Sequence, residues 1–241
     1  MSDSTTPSAP SVNHLITGAG SGIGEALARR LAARGSAAGL WFLVRGEARA
    51  AEIAERFPGA RTVVADLGAP GRLADALAEQ ELPARLDSLV HVAGVVELGP
   101  VAATDPKVWD ETLAVNLTGP AELTRLLLPR LRAARGHVVF VNSGAGLSAG
   151  PGWGAYGASK HGLKALADAL RAEEAGAGVR VTTVYPGRTA TPMQAKVHRQ
   201  EGREYDPGRW IDPESVATTL LTALDLPRDA QLTDVSVRPG P

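Results

Sequence analysis

The chain has 241 residues and no cysteine; 25 lysines and arginines stand against 26 aspartates and glutamates, for a net charge of −1, and 44% of the residues are hydrophobic. Without thiols there are no disulfides, thiolate metal sites or cysteine nucleophiles, and interspersed, nearly balanced charge gives no electrostatic footprint for nucleic acid or an anionic membrane. No segment approaches the roughly 20 apolar residues of a membrane span, so small molecules are the expected partners and the cytoplasm the expected compartment.

Residues 1–11 are rich in Ser, Thr and Pro, with neither a basic start nor an apolar stretch, and read as a disordered tail rather than a signal peptide. From residue 12 onward apolar runs alternate with helical patterns. The patterning predicts strands at 12–17, 38–44, 61–65, 86–92, 137–142, 179–185 and 232–237, and helices at 22–34, 47–57, 71–81, 106–134, 155–175 and 213–226. Many of the strands are almost wholly apolar, as strands of a parallel sheet covered on both faces should be. The expectation is one doubly wound α/β domain over residues 12–241, a seven-stranded parallel sheet with helices on both faces. Residues 187–212 show no period and are interrupted by Pro192, Gly202, Pro207 and Gly208. Such a stretch is either a segment covering a substrate cleft or a surface excursion.

In an open α/β sheet ligands bind beyond the carboxyl ends of the strands, and the candidate residues fall there. Gly18, Ser21, Gly22, Ile23 and Gly24 follow the first predicted strand, Arg45 the second, Asp66 and Leu67 the third, Ala93 and Gly94 the fourth, Ser143 the fifth, and Pro186 and Gly187 the sixth. Three glycines in a strand-to-helix turn permit the φ > 0 conformations and close backbone approach that a phosphate cradle needs, although tight turns alone also use glycine. The turn is not the literal G-x-G-x-x-G, since Ile23 and Glu25 interrupt it; it follows the related pattern Thr17-Gly18-x-x-x-Gly22-x-Gly24.

Further along, Tyr156 and Lys160 stand four residues apart in a helical pattern and share a face. A cation beside a phenol favours the phenolate, so the pair is expected to bring Tyr156 toward the range of an acid/base catalyst, with the Ser143 hydroxyl available to hold a substrate oxygen. Asn116 sits inside a helical pattern against its propensity. The five histidines have no metal-ligand spacing, and no metal site is expected.

Taken in order, the glycine turn, Asp66-Leu67, Ala93-Gly94, Asn116, Ser143, Tyr156 with Lys160, and Pro186-Gly187 followed by Thr191 resemble the short-chain dehydrogenase/reductase family in its single-domain, Rossmann-like form, over nearly the whole chain from Val12 onward. The resemblance implies hydride transfer between a nicotinamide and a carbonyl or secondary alcohol. Tyr156 would give the proton, Ser143 would hold the oxygen, Lys160 would lower the phenol pKa and hold the nicotinamide ribose, and Asn116 would help hold a water that links Lys160 to solvent. Asp66 is assigned to the adenine edge, its alternative being a helix cap, while Thr189 and Thr191 are assigned to the carboxamide. No acid closes the second predicted strand and Arg45 offers a fork for a 2′-phosphate, so NADP(H) is expected over NAD(H), with a solvated Arg45 or a ribose contact from Glu47 as alternatives. Reduction of C=N by the same machinery, or a nucleotide-binding sensor without turnover, are the competing functions, and a homodimer or homotetramer packed through the helices at 106–134 and 155–175 is implied. Where the family has Asn-Asn-Ala-Gly this chain has His91-Val92-Ala93-Gly94, which removes side chains that tie the strand ends together; His91 reads as a structural histidine. Leu147, Trp153, Met193 and Trp210 suggest an apolar substrate pocket or, equally, core packing.

Overall fold

The computed structural model describes residues 12–35 and 37–240; the tail expected at 1–11 lies outside them. Seven strands form one wholly parallel sheet: β1 (His14–Thr17), β2 (Leu40–Val44), β3 (Arg61–Val64), β4 (Ser88–His91), β5 (His137–Val141), β6 (Arg180–Pro186) and β7 (Asp234–Val237). Their order is β3-β2-β1-β4-β5-β6-β7. The chain runs outward from β1 to β3, then returns to place β4 on the other side of β1, so a crevice opens between β1 and β4 at their carboxyl ends.

Period-two alternation along the strands divides the core. Ile16, Phe42, Val90, Val139 and Val184 face one side and pack with Leu27 of α1 (Gly22–Ala32), Ile53 of α2 (Glu47–Arg56) and Val216 and Leu220 lying in 213–225. Leu15, Trp41, Leu89, Val138 and Val181 face the other and pack with Leu73 of α3 (Leu73–Ala78) and with Leu123, Leu127 and Leu163. Every residue of β2, β4, β5 and β6 is buried; β2 is wholly apolar, while polar residues buried on the others, such as Ser88, His137 and Thr182, find side-chain partners. Among the described residues no helix is long and apolar enough to cross a membrane.

Two elements depart from the sequence expectation. The helix predicted over 106–134 is interrupted: α4 (Pro106–Leu113) passes through a π-helical turn, Ala114–Thr118, into α5 (Gly119–Ala134). The buried positions Thr112, Asn116, Gly119 and Leu123 keep helical spacing through it, so it is invisible to pattern, and such turns are frequent at functional sites. After α6 (Gly154–Glu174), the stretch expected to be irregular contains a helix, α7 (Pro192–Gln200). Pro192 had read as a breaker; it occupies the first turn, where its missing N–H is no loss, and the Thr191 hydroxyl caps the helix by accepting from the Gln194 N–H at 3.2 Å. The last helix, α8 (Pro213–Asp225), is capped by Asp212, packs beside α1 and lies against β6.

Candidate active site

A cavity of about 470 Å³ lies over the β1–β4–β5–β6 rim, and the turns after those four strands supply much of its lining. Gly18, Ser21, Gly22 and Ile23 line it from the first turn, Ala93 and Gly94 from the turn after β4, Ser143 from the turn after β5, Tyr156 and Lys160 from α6, and Pro186, Gly187, Thr189 and Thr191 from the segment after β6. Gly24, Arg45, Asp66, Leu67 and Asn116 do not line it.

Glycine is required in the first turn for two separate reasons. Gly18 and Gly22 have φ of 72° and 54°, the left-handed region that side chains resist. At Gly24 the constraint is space: a Cβ there would stand 2.2 Å from the Gly18 carbonyl oxygen, so only glycine lets the start of α1 close onto the turn. The Thr17 hydroxyl then accepts from the N–H groups of both Val92 and Ala93, each at 3.1 Å, and ties β1 to the turn after β4. His91 is only half-satisfied: it stacks on Phe140 and pairs with Thr124 at 2.9 Å, its other ring nitrogen has no hydrogen-bond partner among the described residues, and burial pushes its pKa down to about 3, so it stays neutral.

Tyr156 and Lys160 face the same cavity. Tyr156 is buried, edge-on to Trp153 with ring centroids 5.7 Å apart. The Lys160 ammonium lies over the Tyr156 ring, 5.8 Å from its centroid, and donates to the Val141 carbonyl at 3.1 Å. The expected acidification of the phenol is not what this geometry gives. Burial pushes the Tyr156 pKa up, opposed by a hydrogen bond with Ser143, and burial also pulls Lys160 down to about 8. Burial sets the direction at both groups because it strips water from the charged form of each.

Asn116 is buried within the π-helical turn. Its side-chain oxygen accepts from the Val95 N–H at 2.8 Å, and its amide donates to the Val95 carbonyl at 2.9 Å and to the Ser159 hydroxyl at 3.0 Å. Ser159 in turn donates to the Tyr156 carbonyl at 2.7 Å, so Asn116 links the loop after β4 to the first turns of α6. Sequence reasoning passed over Ser159 and also Asn142. The Asn142 side chain accepts from the Ser143 N–H at 2.8 Å and donates to the Lys160 carbonyl at 3.0 Å, holding Ser143 and Lys160 to one another. A polar residue closing an apolar strand just before Ser143 was the available signal.

Arg45 is exposed just past β2 and, among the described residues, has no hydrogen-bond or ion-pair partner. Asp66 is no helix cap: its carboxylate accepts from the Gly68 N–H at 2.8 Å in a local turn, and α3 begins later. Leu67 is a core residue by its side chain. Two arginines of α2 were missed. The Arg49 guanidinium lies against Gly20, where a Cβ would stand 3.0 Å from it, and Arg56 donates to the Gly20 carbonyl at 3.0 Å. Spacing offered a hint for Arg49, one helical turn beyond Arg45.

Thr191 caps α7 and packs against Gly22, where a Cβ would stand 2.8 Å from its methyl group; Thr189 is buried and donates to the Gly187 carbonyl at 3.0 Å. Of the four apolar residues suggested for the pocket, Trp153 and Met193 line the cavity. Leu147 points to solvent, and Trp210 packs on His198 and under Arg188. Among the described residues no group of three or more metal-ligating side chains occurs.

Residues 13–202 match the family model of the short chain dehydrogenases. An uncharacterised short-chain type dehydrogenase/reductase of Sinorhizobium fredii is 34% identical over 232 residues, covering 93% of this chain and 90% of that one. The glycine betaine reductase of Emericella nidulans is 34% identical over 236 residues, but the chain spans only 18% of that longer protein. A short chain dehydrogenase of Escherichia coli, solved with NADPH, superposes with a TM-score of 0.80 at 28% identity, covering 95% of this chain and 98% of that one.

Proposed function

Because the chain belongs to the short-chain dehydrogenase family of oxidoreductases, we propose that it is an NADP(H)-dependent enzyme interconverting a carbonyl and a secondary alcohol on a small molecule, with Tyr156 as general acid/base. The observation that carries this reading is convergence: a hydroxyl, a phenol and an ammonium from Ser143, Tyr156 and Lys160 share one cavity with a glycine turn whose Cβ positions are sterically closed. That turn fits a pyrophosphate, with N–H groups at the start of α1 turned toward it. Gly18, Ser21, Gly22 and Ile23 would hold the phosphates, Lys160 the ribose, and Pro186, Gly187, Thr189 and Thr191 the nicotinamide end. Arg45 would take a 2′-phosphate; its solvated, unpartnered guanidinium and the NADPH bound by the Escherichia coli relative support NADP(H). When bound, the cofactor supplies or accepts the hydride.

The protein's own part follows from the phenol's environment. Burial keeps Tyr156 protonated, so in the reductive direction it meets the substrate as a proton donor. Ser143 hydrogen-bonds the same oxygen and stabilises the negative charge that develops there. Once the phenol has given its proton, the phenolate is stabilised by the Lys160 ammonium on its face, which at a pKa of about 8 is mostly charged at neutral pH. Asn116 and Asn142 position the loop after β4, Ser143 and α6 relative to one another. Tyr156→Phe removes the hydroxyl alone. Turnover of carbonyl substrates with NADPH is expected to fall by about 10²–10⁴-fold, with cofactor affinity retained in a fluorescence titration. Retained turnover would refute the assignment of the proton to Tyr156.

A further inference from the structure

The cavity is lined by Lys160, Arg188 and Arg238 and by no carboxylate. Two of these cations are already engaged. Lys160 donates to the Val141 carbonyl, and Arg188 forms a two-pronged pair with Glu201 at 2.9 and 2.6 Å while lying on the Trp210 ring. Arg238, one residue past β7, has no hydrogen-bond or ion-pair partner among the described residues. Its backbone is nonetheless anchored: the Gly187 N–H donates to the Val237 carbonyl at 2.7 Å, and the Pro239 ring rests on Gly187. From there the guanidinium reaches back over the rim until it touches Gly144, where a Cβ would stand 2.7 Å from one of its nitrogens. Gly144 directly follows Ser143.

This cation is misplaced for the cofactor phosphates. β7 lies four positions from β1 in the sheet, about 19 Å at roughly 4.8 Å per strand, so the glycine turn is beyond the reach of one side chain. What it does adjoin is Gly144, the residue after the one whose hydroxyl is assigned to the substrate oxygen. We propose that Arg238 is a specificity-determining residue that binds a carboxylate on the substrate, so that the preferred substrates are oxo acids, or the corresponding hydroxy acids, with the acid group a few bonds from the reacting carbon. The planar fork matches a carboxylate by two parallel bonds, and the apolar walls from Val96, Trp153 and Met193 accept the carbon chain between the two groups. The inference rests on the assignment of Ser143 and Tyr156 to the reacting oxygen.

The test compares 4-oxopentanoate with its methyl ester, in the wild type, Arg238→Ala and Arg238→Lys. With NADPH, the wild type is expected to favour the acid in kcat/KM, and Arg238→Ala to lower the acid-to-ester ratio by about 10- to 100-fold, chiefly through KM, with part of it restored by lysine. Calorimetric titration of 4-oxopentanoate into the NADP⁺ complex, where no turnover takes place, is expected to show the same loss of affinity. An acid-to-ester ratio and a calorimetric affinity that are the same in wild type and Arg238→Ala overturn the proposal. If neither compound oxidises NADPH, the oxidoreductase assignment fails for this substrate class, and the calorimetric comparison still decides the role of Arg238: weaker binding in Arg238→Ala supports it, equal binding overturns it.

Discussion

Lys160→Met should make the protein more stable and catalytically inert. The ammonium is buried, and burial lowers its pKa from an ordinary 10.5 to about 8. At neutral pH the charged form is therefore carried by the folded state at a cost of about 3 kcal/mol, using 1.36 kcal/mol per pKa unit. Methionine fills a similar volume without charge. It forfeits the ammonium's hydrogen bond to the Val141 carbonyl, worth about 2 kcal/mol for a charged donor, which leaves a net gain of about 1 kcal/mol. For a chain of this size that is a rise in Tm of about 2–4 °C. The sign of the pH dependence is fixed by the direction of the shift. The folded protein binds the Lys160 proton less tightly than the unfolded chain does, so the penalty is complete below about pH 8, shrinks as pH rises, and is gone above pH 10.5. Urea unfolding of wild type and variant between pH 7 and pH 11 reads both quantities, and NADPH oxidation with carbonyl substrates is expected to fall by at least about 10²-fold. A variant less stable than wild type at pH 7, or an advantage that does not decline between pH 8 and pH 10.5, would refute the argument that Lys160 is held at a desolvation cost for its chemistry.

Gly24→Ala places a methyl group 2.2 Å from the Gly18 carbonyl, against backbone that has no flexible side chain to move aside. Stability in urea is expected to drop by about 1–3 kcal/mol, and NADPH affinity by fluorescence titration to fall with it; wild-type affinity would show that the turn is not the phosphate cradle. Arg45→Ala removes an exposed, unpartnered guanidinium, so the fold should be indifferent. The KM for NADPH is expected to rise about tenfold, the worth of one charged hydrogen bond, with that for NADH little moved; equal effects on both cofactors would count against a 2′-phosphate contact.

What the sequence determined by itself was the alternation of strand and helix, the parallel sheet and the rim on which the candidate residues gather. Period-two burial on strands such as Leu15–Ile16 and the coupling of Gly18, Gly22 and Gly24 to a strand–helix turn are local consequences of residue type. The π-helical turn at Asn116 and the helix after Thr191 escaped pattern, since the buried positions keep helical spacing through the former and a first-turn proline looks like a breaker until its cap is seen. Only the tertiary structure decided the charge states: four-residue spacing brought Lys160 onto the Tyr156 ring, but whether attraction or desolvation governs the phenol depends on how deeply the whole fold buries both. Nor could spacing reveal Arg238, which lies more than 90 residues beyond Ser143 in the chain and meets the following glycine only because β7 pairs with β6 and β6 with β5. Periodicity is set by neighbours along the chain, whereas desolvation and long-range contact are set by neighbours across the sheet.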